Sequence, residues 1–131
     1  FNVEEIKKIG SIDKNFFIYF MDDELCRRIR QNKKSIIQVY NSKAKHVHGN
    51  LKIDNKLKKI FFRNYHFTFD ELYYYYKNDS NNSKLKEIKK KFYKYIVKIF
   101  LNLLILRFEK SVYYFSKTLA YFKFVKKTGK F

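Results

Sequence analysis

Thirty lysines and arginines face twelve aspartates and glutamates, leaving this 131-residue chain with a formal charge of +18. A compact fold with that much like charge repels itself unless a polyanion neutralises it. The fold must therefore hold its cations apart on the outside and concentrate its binding forces in a small apolar interior. Aromatic residues make up 21% of the chain, so material for such an interior exists. The length suits one domain, or one small domain with an extension. The charge points to RNA, DNA or an anionic membrane surface and does not choose among them.

Lysine outnumbers arginine 25 to 5, Pro and Trp are absent, and Asn, Tyr, Phe and Ile abound. These are the residues of A- and T-rich codons, so nucleotide bias shaped part of the composition. Other function classes find little support. One cysteine, Cys26, excludes an internal disulfide. Cys26, His46, His48 and His66 lack CxxC spacing, so no zinc site or other metal is expected. Three glycines provide no phosphate-cradling loop, and Asp70-Glu71 is an isolated acidic pair. No serine or cysteine has a recognisable base, so neither an enzyme, a cofactor nor a small-molecule substrate is expected. Glu4 and Glu5 among lysines do not suit a secretory signal. The segment 95–106 is too short for a membrane span, which needs about 20 apolar residues, and Lys98 and Asn102 interrupt it.

Residues 1–32 read as an N-terminal extension, with a short helix near Asp22 to Arg30 whose acidic start and basic end suit the helix dipole. Ser35 to Tyr40 is mostly β-branched or aromatic and predicts a strand. Further strands are expected around Leu51 to Ile53, Leu57 to Phe62, Leu103 to Leu106 and Tyr121 to Val125. Asn78 to Ser83 is a polar break that can cap the segment after it. In that segment, Leu85, Ile88, Phe92, Ile96, Ile99, Phe100 and Leu103 recur at three- and four-residue steps and predict one amphipathic helix. The tyrosine run 73–76 is expected to pack rather than to stack on bases. Several short strands around one long helix predict a mainly β chain, a small barrel with a helical insertion.

Three stretches, in order, resemble the bacterial-type ribosomal protein seventeen of the small subunit, a five-stranded OB-fold family. Lys34-Ser35 leads into Ile36 to Val39, then Lys43, Lys45-His46 and Gly49. A basic run comes next, Lys56-Leu57-Lys58-Lys59 with Ile60, Phe61 and Phe62, and Arg63-Asn64 stands where the family has His-Asp. The last block is Leu103 to Arg107, Glu109, Phe115-Ser116-Lys117-Thr118 and Tyr121 to Val125, with Tyr114 in place of the family's proline.

The resemblance implies an OB-fold barrel of residues 33–66 and 102–126, a helical insertion of residues 67–101, and a basic tail of residues 127–131. It also implies a structural component of the small ribosomal subunit, held by small-subunit rRNA and neighbouring ribosomal proteins, most simply in a mitochondrial ribosome. The expected RNA contacts are Lys33, Lys34, Ser35, Lys43, Lys45, His46, Lys56, Lys58, Lys59, Arg63, Ser116, Lys117 and Thr118. Basic side chains on a barrel face would neutralise phosphates, and the Ser-Lys-Thr triplet would offer hydroxyls from a tight connection. The competing expectation is a basic accessory subunit of an organellar membrane complex.

Overall fold

The computed structural model describes residues 3–45, 53–79 and 83–129. Among these residues there are five α-helices and no strand: α1 (Val3–Lys8), α2 (Met21–Gln31), α3 (Lys56–Asn78), α4 (Ser83–Leu104) and α5 (Phe108–Thr128). The fold is all-α, and the expected mainly β, five-stranded OB-fold barrel is corrected. Residues 35–40 lie in an exposed stretch without regular structure. The run 56–62 forms the first two turns of α3. Residues 103–106 are the end of α4 and the turn after it, and residues 121–125 lie within α5. Leu51 is outside the described residues.

Periodicity explains the correction. On α3, Asn64, Thr68 and Leu72 are buried at four-residue steps, the spacing of one helix face and not of a strand. The helix starts where Asn55 accepts a hydrogen bond from the Lys58 backbone N–H through its side chain, at 3.0 Å. The three long helices form the body. α5 is the middle element, packed on both α3 and α4, which barely meet each other. The apolar core lies at one end, where Leu72 of α3, Leu85, Ile88 and Phe92 of α4, and Tyr121 and Phe124 of α5 converge. Phe92 stacks on Tyr121 with ring centres 4.2 Å apart.

The opposite end is built differently. There Asn64, Asn102 and Ser111 are buried, and Asn102 and Ser111 donate to the Lys98 and Ile99 carbonyls of α4. Nearby apolar side chains of the α4–α5 turn stand in the open, with Leu104 at 79% exposure.

Residues 9–31 wrap α3 from its other side. Asp70, fully buried on α3, accepts the backbone N–H groups of Phe17, Ile18 and Tyr19 at 3.1, 3.0 and 2.9 Å. Phe17 stacks on His66 at 3.9 Å, and Phe16 meets Tyr73 edge-on at 5.0 Å. The tyrosine run packs within the protein: Tyr74 stacks on Phe20, and Tyr76 meets the core ring of Phe124. Glu24 of α2 is buried, bonded by the Arg28 guanidinium at 2.9 Å and by Lys77 of α3 at 2.5 Å. Arg28 also donates to the carbonyls of Ile9 and Ser11, closing the loop between α1 and α2.

Candidate nucleic-acid interface

The cations expected to hold phosphate fall into three groups. Lys33, Lys34, Ser35, Lys43 and Lys45 lie on the exposed arm of residues 33–45 that comes after α2. Within it only one anchor is seen for the basic residues: Lys34 pairs with Glu5 at 2.6 Å. Hydrogen bonds from Lys34 and Lys8 hold the pKa of the Glu5 carboxyl at about 2. His46 lies outside the described residues.

The second group sits on the first two turns of α3. Lys56, Lys59 and Arg63 are exposed and spaced by three and four residues, so the helix sets them in one outward stripe. Lys58 belongs to another face. It borders an open apolar groove of ≈ 510 Å³ between α3 and α5, lined also by Ile53, Leu57, Phe61, Phe62, Val112 and Phe115. Phe61 lies 6.2 Å from Phe115 across it, centre to centre.

The third group is the triplet of α5. It occupies the middle of a helix instead of a tight connection. Ser116 is fully buried and Thr118 nearly so, and their hydroxyls donate to the carbonyls of Tyr113 at 2.8 Å and Tyr114 at 3.0 Å. Such bonds close back on the helix's own preceding turn. Lys117 lies 4.7 Å above the Tyr113 ring and 5.7 Å above that of Tyr95, in cation–π geometry. The three groups thus lie on three different elements, the arm, α3 and α5.

None of the residues expected from the sequence to contact RNA lies on α4, yet Lys84, Lys86, Lys89, Lys90, Lys91, Lys94 and Lys98 are all exposed there. Their signal was the basic face of the predicted helix. The inward use of the acids is marked by no local pattern in the sequence. Asp13, Glu24 and Asp70 all tie residues 9–31 to α3 or to one another's partners. Burial works against the Asp13 carboxylate, but hydrogen bonds from the Asn15 backbone and from Lys77 prevail and hold its pKa at about 2. Glu71, facing α4 and α5, has its carboxyl pushed up by burial against the pull of Lys117 and Lys91. Asp79 accepts the Lys84 N–H at 2.8 Å and caps α4. The remaining paired acids, Glu4, Glu87 and Glu109, are on the surface, where such pairs stabilise little.

Among the described residues no group of histidines, cysteines and acids is arranged to hold a metal ion, and no helix is long and apolar enough to cross a membrane. No protein-family model matches the chain, no curated protein matches it, and no solved structure matches it.

Proposed function

We propose that this protein is a non-catalytic RNA-binding component of a ribonucleoprotein, holding phosphates with lysines displayed on a helical scaffold and on the arm of residues 33–45. The observation that carries the reading is the division of charge. Asp13, Glu24 and Asp70 are turned inward as structural anchors, with Lys77 drawn in to the first two, while the lysines of the arm, of the first turns of α3 and of α4 stand outward. A surface so divided attracts a dense line of phosphates and releases their counterions. RNA is favoured over duplex DNA by the groove between α3 and α5. Phe61, Phe62 and Phe115 line an open apolar slot beside Lys58, suited to an unpaired base.

The ribosomal setting, with small-subunit rRNA as partner and a mitochondrial ribosome as location, rests on the sequence resemblance alone. The family's barrel is not the fold of this chain, so the proposed mode of binding owes nothing to it.

The test is the affinity for a short single-stranded RNA, measured by fluorescence anisotropy over a range of salt concentrations. Replacing the α3 stripe (Lys56→Glu, Lys59→Glu and Arg63→Glu together) should weaken binding. It should also lower the slope of log affinity against log salt by about 2, at roughly 0.7 for each phosphate no longer neutralised. An unchanged slope removes the stripe from the interface. Failure of the unaltered protein to bind RNA ends the reading.

A further inference from the structure

The α4–α5 hairpin carries two apolar stripes of which the proposed RNA reading uses only Phe115 and the flanking α4 lysines. On α4, Lys86, Lys90, Tyr93, Val97, Leu101 and Leu104 succeed one another at three- and four-residue steps, so they form one outward stripe. All six are exposed. The stripe begins cationic and ends apolar: Tyr93, Val97, Leu101 and Leu104 are between 54% and 79% exposed. Its apolar part is about 17 Å long at 1.5 Å per residue. On α5, Phe108, Phe115, Leu119 and Phe122 make a second outward stripe, each at least 40% exposed. The ring of Phe92 joins the two, 5.7 Å from Tyr93 and 5.2 Å from Phe122. Lys123 and Lys126 close the α5 stripe at the end where Lys86 and Lys90 open that of α4. Arg107 and Lys110 flank the turn.

An exposed apolar surface of this extent marks a docking site, and its charge selects the occupant. Residues 83–129 contain thirteen basic residues and two acids. Both acids are already ion-paired, Glu87 with Lys84 and Lys91, and Glu109 with Lys56. A second copy would bring another +18 against the first. The surface is the outside of a helical hairpin, with apolar side chains between cationic ends. It fits a soft, flat, negatively charged partner better than a shaped protein groove.

We infer that the α4–α5 hairpin docks on the surface of an anionic lipid bilayer. The two stripes lie in the interface, their aromatic and aliphatic side chains reach the acyl boundary, and lysines extend to the lipid phosphates. The hairpin lies on the bilayer; no described helix spans it.

The chain has no tryptophan, so one introduced at a chosen position reports on its own surroundings. The full-length variants L104W, on the hairpin, and Y40W, on the arm, are mixed with phosphatidylcholine vesicles with or without phosphatidylserine. L104W emission should shift to the blue and be quenched by acyl-brominated lipid on the anionic vesicles, while Y40W is not quenched. Leu101→Ser with Phe122→Ser, which leaves the charge unchanged, should lower partitioning about tenfold or more at physiological salt, through loss of apolar burial. Equal behaviour of the two reporters, or partitioning indifferent to the serines, would mean adsorption by charge alone and overturn the inference. Undiminished binding to phosphatidylcholine alone would overturn it too. So would a lipid-free blue shift of L104W that grows with protein concentration, since a second copy would then cover the face. None of these outcomes bears on RNA affinity, so the two readings fail separately.

Discussion

Asp70 has no exposed surface, yet it is the side chain on which residues 17–19 are hung. An ionised carboxylate is costly to bury without partners. Here three successive backbone N–H groups provide them, and charge-assisted bonds of this kind are about twice as strong as neutral ones. Asp70→Asn keeps the size, but loses the charge and turns an amide N–H₂ toward the same donors. The expected cost is about 3 kcal/mol in urea-induced unfolding, with residues 9–31 losing protection from proteolysis first. A loss below about 1 kcal/mol would mean that water serves those donors equally well. None of this was legible from the sequence, in which Asp70-Glu71 is simply an acidic pair. The partner of Asp70 is more than fifty positions away and is backbone, which has no residue type to read. Its neighbour Glu71 points to a different side of α3, and burial raises its carboxyl against the pull of Lys117 and Lys91.

At the scale of elements, α4 was readable and α5 was not. The large apolar residues of α4 recur at helical spacing between lysines, and Leu85, Ile88 and Phe92 are buried as that spacing predicts. The pattern departs only near the turn, where Phe100 and Leu103 are exposed and Asn102 is buried instead. In α5 the relation between residue type and burial is reversed outside the core pair Tyr121 and Phe124. Ser111, Ser116, Thr118 and Ala120 are buried, while Phe115, Leu119 and Phe122 face outward. A middle helix pressed between two others needs small side chains wherever its neighbours come close. With most of its covered positions small or polar, and Tyr121 and Phe124 its only large buried side chains among the described residues, α5 shows no continuous apolar stripe toward the core. Reading by residue type then makes Tyr121 to Val125 a strand. The same bias toward Ile, Phe and Tyr made residues 57–62 resemble a strand, because residues of that kind occur throughout the chain. The reversal is testable. Ser116→Leu, an apolar replacement, should destabilise by about 1–3 kcal/mol because it overpacks a filled site. Phe115→Ser, a polar one, should change stability by less than about 0.5 kcal/mol. Thermal unfolding monitored by circular dichroism measures both, and the opposite ranking would refute the packing described for α5.

For the molecule as a whole, the sequence carries the charge on which the proposed polyanion partner rests and not the way such a partner would be held. Net charge is independent of fold, so a polyanion partner could be inferred before any element was placed. The interface could not, because strand faces and helix faces distribute the same lysines differently: Lys56, Lys59 and Arg63 share a stripe only on a helix, and Lys58 leaves it. The free protein must endure its own repulsion, so a bound polyanion should stabilise it by linkage. A single-stranded RNA at a hundred times its dissociation constant should add about 2.7 kcal/mol, seen as a rise in the thermal midpoint. Added monovalent salt should erase the rise, and a midpoint indifferent to RNA would argue against binding to the folded state. The inward placement of Asp13, Glu24 and Asp70 has one more consequence, for supply. On the proposed RNA-binding reading most of the counter-charge comes from the partner, so a molecule synthesised beyond the number of available sites keeps a net +18 of its own. Surplus copies would attach to whichever phosphate-bearing surface lay nearest, and a cell making this chain would need to match its output to the number of places where it can settle.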